Sequence, residues 1–144
     1  MSFEALLGSA TRTASGNALV VRNVSSVVAA TFLLAVTDAQ AAGADTLDLY
    51  LQSSLDGGTT WDDFVHFTQV LGNAVEPIKH IATWTALSGL PESEMHVPAD
   101  KTLAAGVLQG LVGNDWRVAW VIVGGTASFT FSLSGRLLRH QGRS

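Results

Sequence analysis

Alternation of apolar and polar positions with a period of two runs through most of the chain. Thr46–Ser53 places Leu47, Leu49 and Leu51 on one side of an extended segment and Asp48, Tyr50 and Gln52 on the other, the pattern of a half-buried strand. Trp116–Val123 repeats it with Trp116, Val118, Trp120 and Ile122 on the apolar side, and Phe129, Phe131 and Leu133 alternate with Thr130, Ser132 and Ser134. Trp61–Val70 and Ile78–Ala86 alternate less cleanly but are rich in aromatic and β-branched residues, which suit a pleated surface. With Asn17–Arg22 and Val27–Thr37 the count reaches about seven strands.

Turn chemistry separates these segments. Asp56-Gly57-Gly58 and Gly124-Gly125 carry hairpin signals, Ala42–Asp45 reads as a loop, and Gly113-Asn114-Asp115 leads into a strand. Short strands punctuated by glycine turns predict an all-β fold: an antiparallel β-sandwich or jelly-roll-like barrel of about seven to eight strands. Between Leu87 and Gly113 the alternation lapses around Pro91 and Pro98, and Ala99–Leu111 reads as one short helix or a loop packed over a sheet end.

Nothing marks a second domain. The pattern predicts one β domain over residues 17–138, a flexible or partner-bound arm over 1–16, and a basic tail over 139–144. The arm carries Phe3, Leu6 and Leu7 before the small polar run Gly8–Gly16; the carboxy-terminal end carries Arg136, Arg139, His140 and Arg143. Phe3, Leu6, Leu7, Arg136 and Arg139 are therefore the candidate partner-binding residues, the arginines by pairing with an acidic neighbour.

Val27–Val36 followed by Ala39-Gln40-Ala41 has the outline of an export signal. No basic segment abuts it, Thr31 interrupts it, and it falls well short of the roughly 20 residues that cross a bilayer. It is read as a strand, and no membrane association is expected.

Composition narrows the function classes. At 144 residues the chain can bury roughly 70% of its unfolded surface, a real core without staples. Cysteine is absent, which excludes disulfides, thiolate nucleophiles and thiolate zinc sites. Only 14% of residues are charged, against roughly 25% in an average globular protein, so part of the surface is expected to be covered by partners. Net charge is −4 and Lys/Arg do not cluster before the last nine residues, which argues against nucleic-acid binding.

Catalytic and metal motifs are weak or missing. Asp56, Asp62 and Asp63 could offer hard oxygen ligands to calcium, but the EF-hand spacing and its terminal Glu are absent. Asp62 and Asp63 are instead expected to cap a strand edge. His66, His80, His96 and His140 fit no zinc spacing, although His66 and His80 could meet across a sheet. No nucleophile elbow, phosphate loop or dinucleotide fingerprint occurs, so no enzyme, cofactor or metal is expected. Among the tryptophans, Trp116 and Trp120 belong to an apolar face and Trp61 to a hairpin; Trp84, between Thr83 and Thr85, is the candidate exposed platform for a sugar ring.

The sharpest local pattern is Ser54-Leu55-Asp56-Gly57-Gly58-Thr59-Thr60-Trp61. It resembles the Asp-box, Ser-x-Asp-x-Gly-x-Thr-Trp, of sialidases and many other β proteins, with Ser54, Asp56, Gly58, Thr60 and Trp61 at the defined positions. A single copy in so short a chain implies a stabilised hairpin, not a six-bladed propeller or glycoside cleavage. A longer arrangement, Ala44–Trp61, Phe64–Leu71 and Trp116–Ser134, resembles a class of small tailed-bacteriophage virion proteins, with Arg117, Gly124, Gly125, Phe129 and Phe131 carrying its later part. That resemblance covers about a third of the chain. It implies a virion structural component made in the host cytoplasm, with capsid decoration favoured: a cement-like homo-oligomer, a trimer favoured, bound to the major capsid protein at the capsid surface. A tail or neck ring protein and a glycan-binding β-sandwich module are the alternatives.

Overall fold

The computed structural model describes residues 3–20, 24, 26–39, 44–86, 98–110 and 112–140. These residues form ten strands and no helix: β1 (Glu4–Arg12), β2 (Gly16–Leu19), β3 (Val27–Ala39), β4 (Thr46–Ser54), β5 (Asp62–His66), β6 (Val70–Leu71), β7 (Ile78–Thr85), β8 (Gly106–Val107), β9 (Asp115–Val123) and β10 (Phe129–Arg139). They pair into two antiparallel sheets. One has the order β1-β10-β3-β7; the other runs β2-β9-β4-β5-β8, with β6 also paired to β4. The sheets pack face to face as a β-sandwich.

The period-two pattern explains the core. Phe32, Leu34 and Val36 of β3 and Phe129, Phe131 and Leu133 of β10 point inward from one sheet. Leu47, Leu49 and Leu51 of β4 and Trp116 and Val118 of β9 point inward from the other, and none of these side chains is more than 2% exposed. Each contributes on the order of 1.5–3 kcal/mol of burial. Phe32, Phe64, Trp84 and Trp116 form a knot of edge-on and tilted rings with centroids 5.0–6.2 Å apart. Each buried indole N–H finds a carbonyl: Trp84 donates to Gly110 O, Trp116 to Gly113 O and Trp120 to Ala14 O, at 3.0–3.1 Å.

Several sequence expectations change. Residues 4–12 of the expected flexible or partner-bound arm form edge strand β1 on β10. A register shift at Leu6 turns both Leu6 and Leu7 into the core, at 7% and 8% exposure. Arg12 locks the strand's end: its guanidinium donates to Gly8 O, Ala10 O and Phe131 O and lies over the Trp120 and Phe131 rings. Within Ala99–Leu111 there is no helix across the described residues 99–110; the segment is a loop with the short strand β8. Trp61–Val70 is not one strand but β5 and β6, separated by Phe67–Gln69. Gly124-Gly125 is not a hairpin turn. β9 and β10 both aim their large residues at the core from opposite sheets, so this turn carries the chain across the sandwich. Gly124 is required there: φ is +130°, and an added Cβ would collide with the Asp45 carboxylate.

Arg22, Gln40, Ala41, Pro91, His96, Leu111, Arg143 and the rest of 141–144 lie outside the described residues.

Candidate functional site

The loop between β4 and β5 is built around one carboxylate. Asp56 Oδ1 accepts the backbone N–H groups of Thr59 and Thr60 at 3.1 and 2.8 Å, and Oδ2 accepts the Thr60 hydroxyl at 2.6 Å. Ser54 Oγ donates to Asp56 Oδ1 at 2.8 Å and accepts Gly58 N–H at 2.7 Å. Gly57 and Gly58 take φ values of +74° and +97°, which the tight turn needs and a β-carbon opposes. The Thr60 hydroxyl and backbone N–H, with Ser54 behind them, hold the Asp56 carboxyl down to about 2. Ser54 at the base of the loop is buried, whereas the tip is exposed and Leu55 is 66% exposed.

Trp61 closes the hairpin and leads to a second cluster on the outward face of the β4-containing sheet. Arg117 of β9 lays its guanidinium over the Trp61 ring and donates from Nε to Gln52 Oε1 at 2.7 Å. Gln52 Nε2 donates to both Asp63 and Asp100. Asp63 is 1% exposed and accepts three successive backbone N–H groups, those of Lys101, Thr102 and Leu103, at 2.7–2.9 Å. Three consecutive N–H groups curled around a carboxylate form an anion nest, and the positive φ of Lys101 (60°) belongs to that curl. Residues 98–108 are thereby strapped across the sheet, which is why Tyr50 and Gln52, outward by alternation, are 7% and 0% exposed. Asp62 and Asp63 are thus not a solvated pair at a strand edge: Asp63 is the buried anchor of the strap.

The charges of this face tune one another. Partial burial opposes ionisation of Asp100, but hydrogen bonds from Gln52 and Lys101 and the charges of Lys101 and Arg117 hold its carboxyl below the usual range. Asp62 is pushed up, first by desolvation and then by Asp56 and Asp63. Burial, with Asp48, Asp63 and Asp100 nearby, raises the Tyr50 phenol. His66 stacks on Tyr50 at 4.1 Å between ring centres; its Nδ1 meets Leu103 O at 2.7 Å and its Nε2 meets Asp48 Oδ1 at 2.9 Å. His66 and His80 belong to different sheets and do not pair across one, although both line a cleft between β5 and β7. Among the described residues no group of three or more His, Asp and Glu side chains is arranged to hold a metal.

The candidate partner residues are dispersed. Phe3 is 48% exposed, whereas Leu6 and Leu7 are in the core. Arg139 is paired with Glu4 at 3.0 Å, tying the end of β10 to the start of β1. Arg136 is exposed on the outward face of the other sheet. Trp84 is 2% exposed within the aromatic knot and offers no platform for a sugar. Sequence reasoning missed Gln52, Asp63 and Asp100 as a unit. No signal in the strands themselves distinguished them, because Gln52 alternates with Asp48 on the polar face of β4 and Asp63 stands beside Asp62 at the start of β5.

Comparisons of the chain with protein-family models, with curated proteins and with solved structures find no match.

Proposed function

We propose that this chain is a structural component of a tailed-phage virion, a capsid decoration protein made in the host cytoplasm that binds the major capsid protein lattice as a homo-oligomer, a trimer favoured. One observation carries the reading. Two of the segments that resemble phage virion proteins, Ala44–Trp61 and Trp116–Ser134, lie far apart in sequence yet pack together: Arg117 rests on Trp61, Gly124 packs against Asp45 just before β4, and Phe129 and Phe131 fill the core opposite that sheet. That these two segments lie side by side in the fold is what supports reading them together. A sandwich with a charged fraction of 14% also suits a protein whose surface is shared with neighbours.

Against the glycan-binding alternative, Trp84, its candidate platform, is buried and donates to Gly110 O. The tail or neck ring alternative shares the fold and differs in stoichiometry. Quantitative mass spectrometry of purified particles tests the proposal. A copy number approaching that of the major capsid protein, or one third of it, supports decoration. A few to a few tens of copies per particle assigns the chain to the neck or tail, and absence from particles ends the virion reading.

A further inference from the structure

The outward face of the β1-β10-β3-β7 sheet differs from that of its partner. The register sets Leu33 beside Ser134 and Ile81, Thr31 beside Arg136 and Thr83, and Ala29 beside Leu138 and Thr85. The small residues leave a depression of about 440 Å³, with Ala29, Thr31, Thr83 and Thr85 inside and Arg136 and Leu138 among its walls. Ile81 is 68% exposed and Leu138 46%. Four strands about 4.8 Å apart over some eight residues present roughly 500 Å² in projection, a large share of the about 800 Å² per side that a specific contact buries.

Charge identifies what fits there. Arg139 is engaged by Glu4, and Arg117 and Lys101 by Asp100. Arg136, by contrast, has no ion-pair partner among the described residues and stands exposed beside hydroxyls and aliphatic groups, with a second exposed cation, Lys79, on the same sheet. Asp38 is removed from Arg136, opposite Thr130 at the other end of β10. The carboxylates Asp48, Asp56, Asp62, Asp63, Asp100 and Asp115 instead belong to β4, β5, β9 and the loops of the other sheet. A planar guanidinium at the wall of a hydroxyl-lined depression is matched by a carboxylate presented from an apolar surround.

We propose that this face is the one that docks on the capsid lattice, and that the capsid protein presents a carboxylate to Arg136 within an apolar contact seated over Ile81 and Leu138. The inference rests on the decoration reading and adds the surface and its chemistry.

The test adds purified chain back to phage particles assembled without it and measures bound copies by sedimentation and mass spectrometry. Arg136→Glu and, independently, Ile81→Asp are expected to weaken attachment by roughly tenfold or more, with unchanged thermal melting of the free chain. Leu55→Lys, at the hairpin tip of the other sheet, is expected to bind as the wild type does. If the wild-type chain attaches and both Arg136→Glu and Ile81→Asp attach equally well, the docking face is wrong while the decoration reading stands. Loss of attachment in Leu55→Lys alone also overturns it and moves the contact to the hairpin side. Failure of the wild-type chain itself to attach removes the decoration reading and this inference together.

Discussion

The guanidinium of Arg117 lies 4.7 Å from the centre of the Trp61 ring, while its Nε donates to Gln52. A residue of β9 thereby clamps the base of the β4–β5 hairpin and orients the amide that serves Asp63 and Asp100. Arg117→Met, which keeps the aliphatic stem, is expected to cost about 2 kcal/mol in urea unfolding, from the ring contact and the lost charged hydrogen bond. Arg117→Lys should restore little of it, because an ammonium cannot stack and donate in the same plane. A double-mutant cycle with Trp61→Ala should give a coupling of about 0.5–1 kcal/mol. A coupling indistinguishable from zero would show that the hairpin and β9 are not joined through this contact.

Asp63 replaces solvent as the acceptor for three backbone donors. In Asp63→Asn one oxygen becomes an amide that confronts N–H groups, so about 3 kcal/mol of stability should be lost. Hydrogen exchange locates the effect: Lys101, Thr102 and Leu103 should lose protection before the strands do. If these amides stay as protected as those of β4, the strap is held by something other than Asp63.

Much of the sandwich was legible because the inward faces of β4, β9 and β10 keep a strict period of two. The strap was not, since Gln52 and Asp63 occupy positions whose burial depends on a segment 38 to 40 residues beyond Asp63. Trp84 misled for a related reason. Its flanking threonines suit either a solvated strand or an inward tryptophan between outward hydroxyls, and Ile78 and Ile81 blur which face is apolar. The turn at Gly124 encodes a reversal of direction but not the sheet that the next strand joins. The loop between β4 and β5 was readable because all of its bonds lie within seven residues, Ser54 to Thr60.

Acid should act on that loop in a defined window. Asp56 has a folded value of about 2 against an ordinary value of 3.8, so between these the unfolded chain binds the proton more readily than the folded one. Its stabilisation is complete above the unfolded value and is lost as pH falls through the folded one. Asp56→Asn should therefore flatten the acid limb of stability against pH between about pH 4 and pH 2. Asp100, also depressed, keeps a residual slope of the same sign. An unchanged limb in Asp56→Asn would mean that the loop's hydrogen bonds do not favour the ionised carboxylate.

Trp84 offers a test that separates packing from recognition. Its indole contacts Phe64 and Trp116 and donates to Gly110 O, and Gly110 N–H in turn donates to Thr85 O. Gln109 adds a pair of side-chain bonds to the same edge, accepting from Thr85 N–H and donating to Thr83 O. Trp84→Ala removes one buried ring of the aromatic knot and should cost about 3–5 kcal/mol; Trp84→Phe should cost less, retaining ring contacts but leaving Gly110 O without its donor. Because the side chain is enclosed, any loss of particle attachment in Trp84→Ala should follow the unfolded fraction and vanish at temperatures where the variant is folded. Loss of attachment in a fully folded Trp84→Phe chain would instead return this tryptophan to the binding surface.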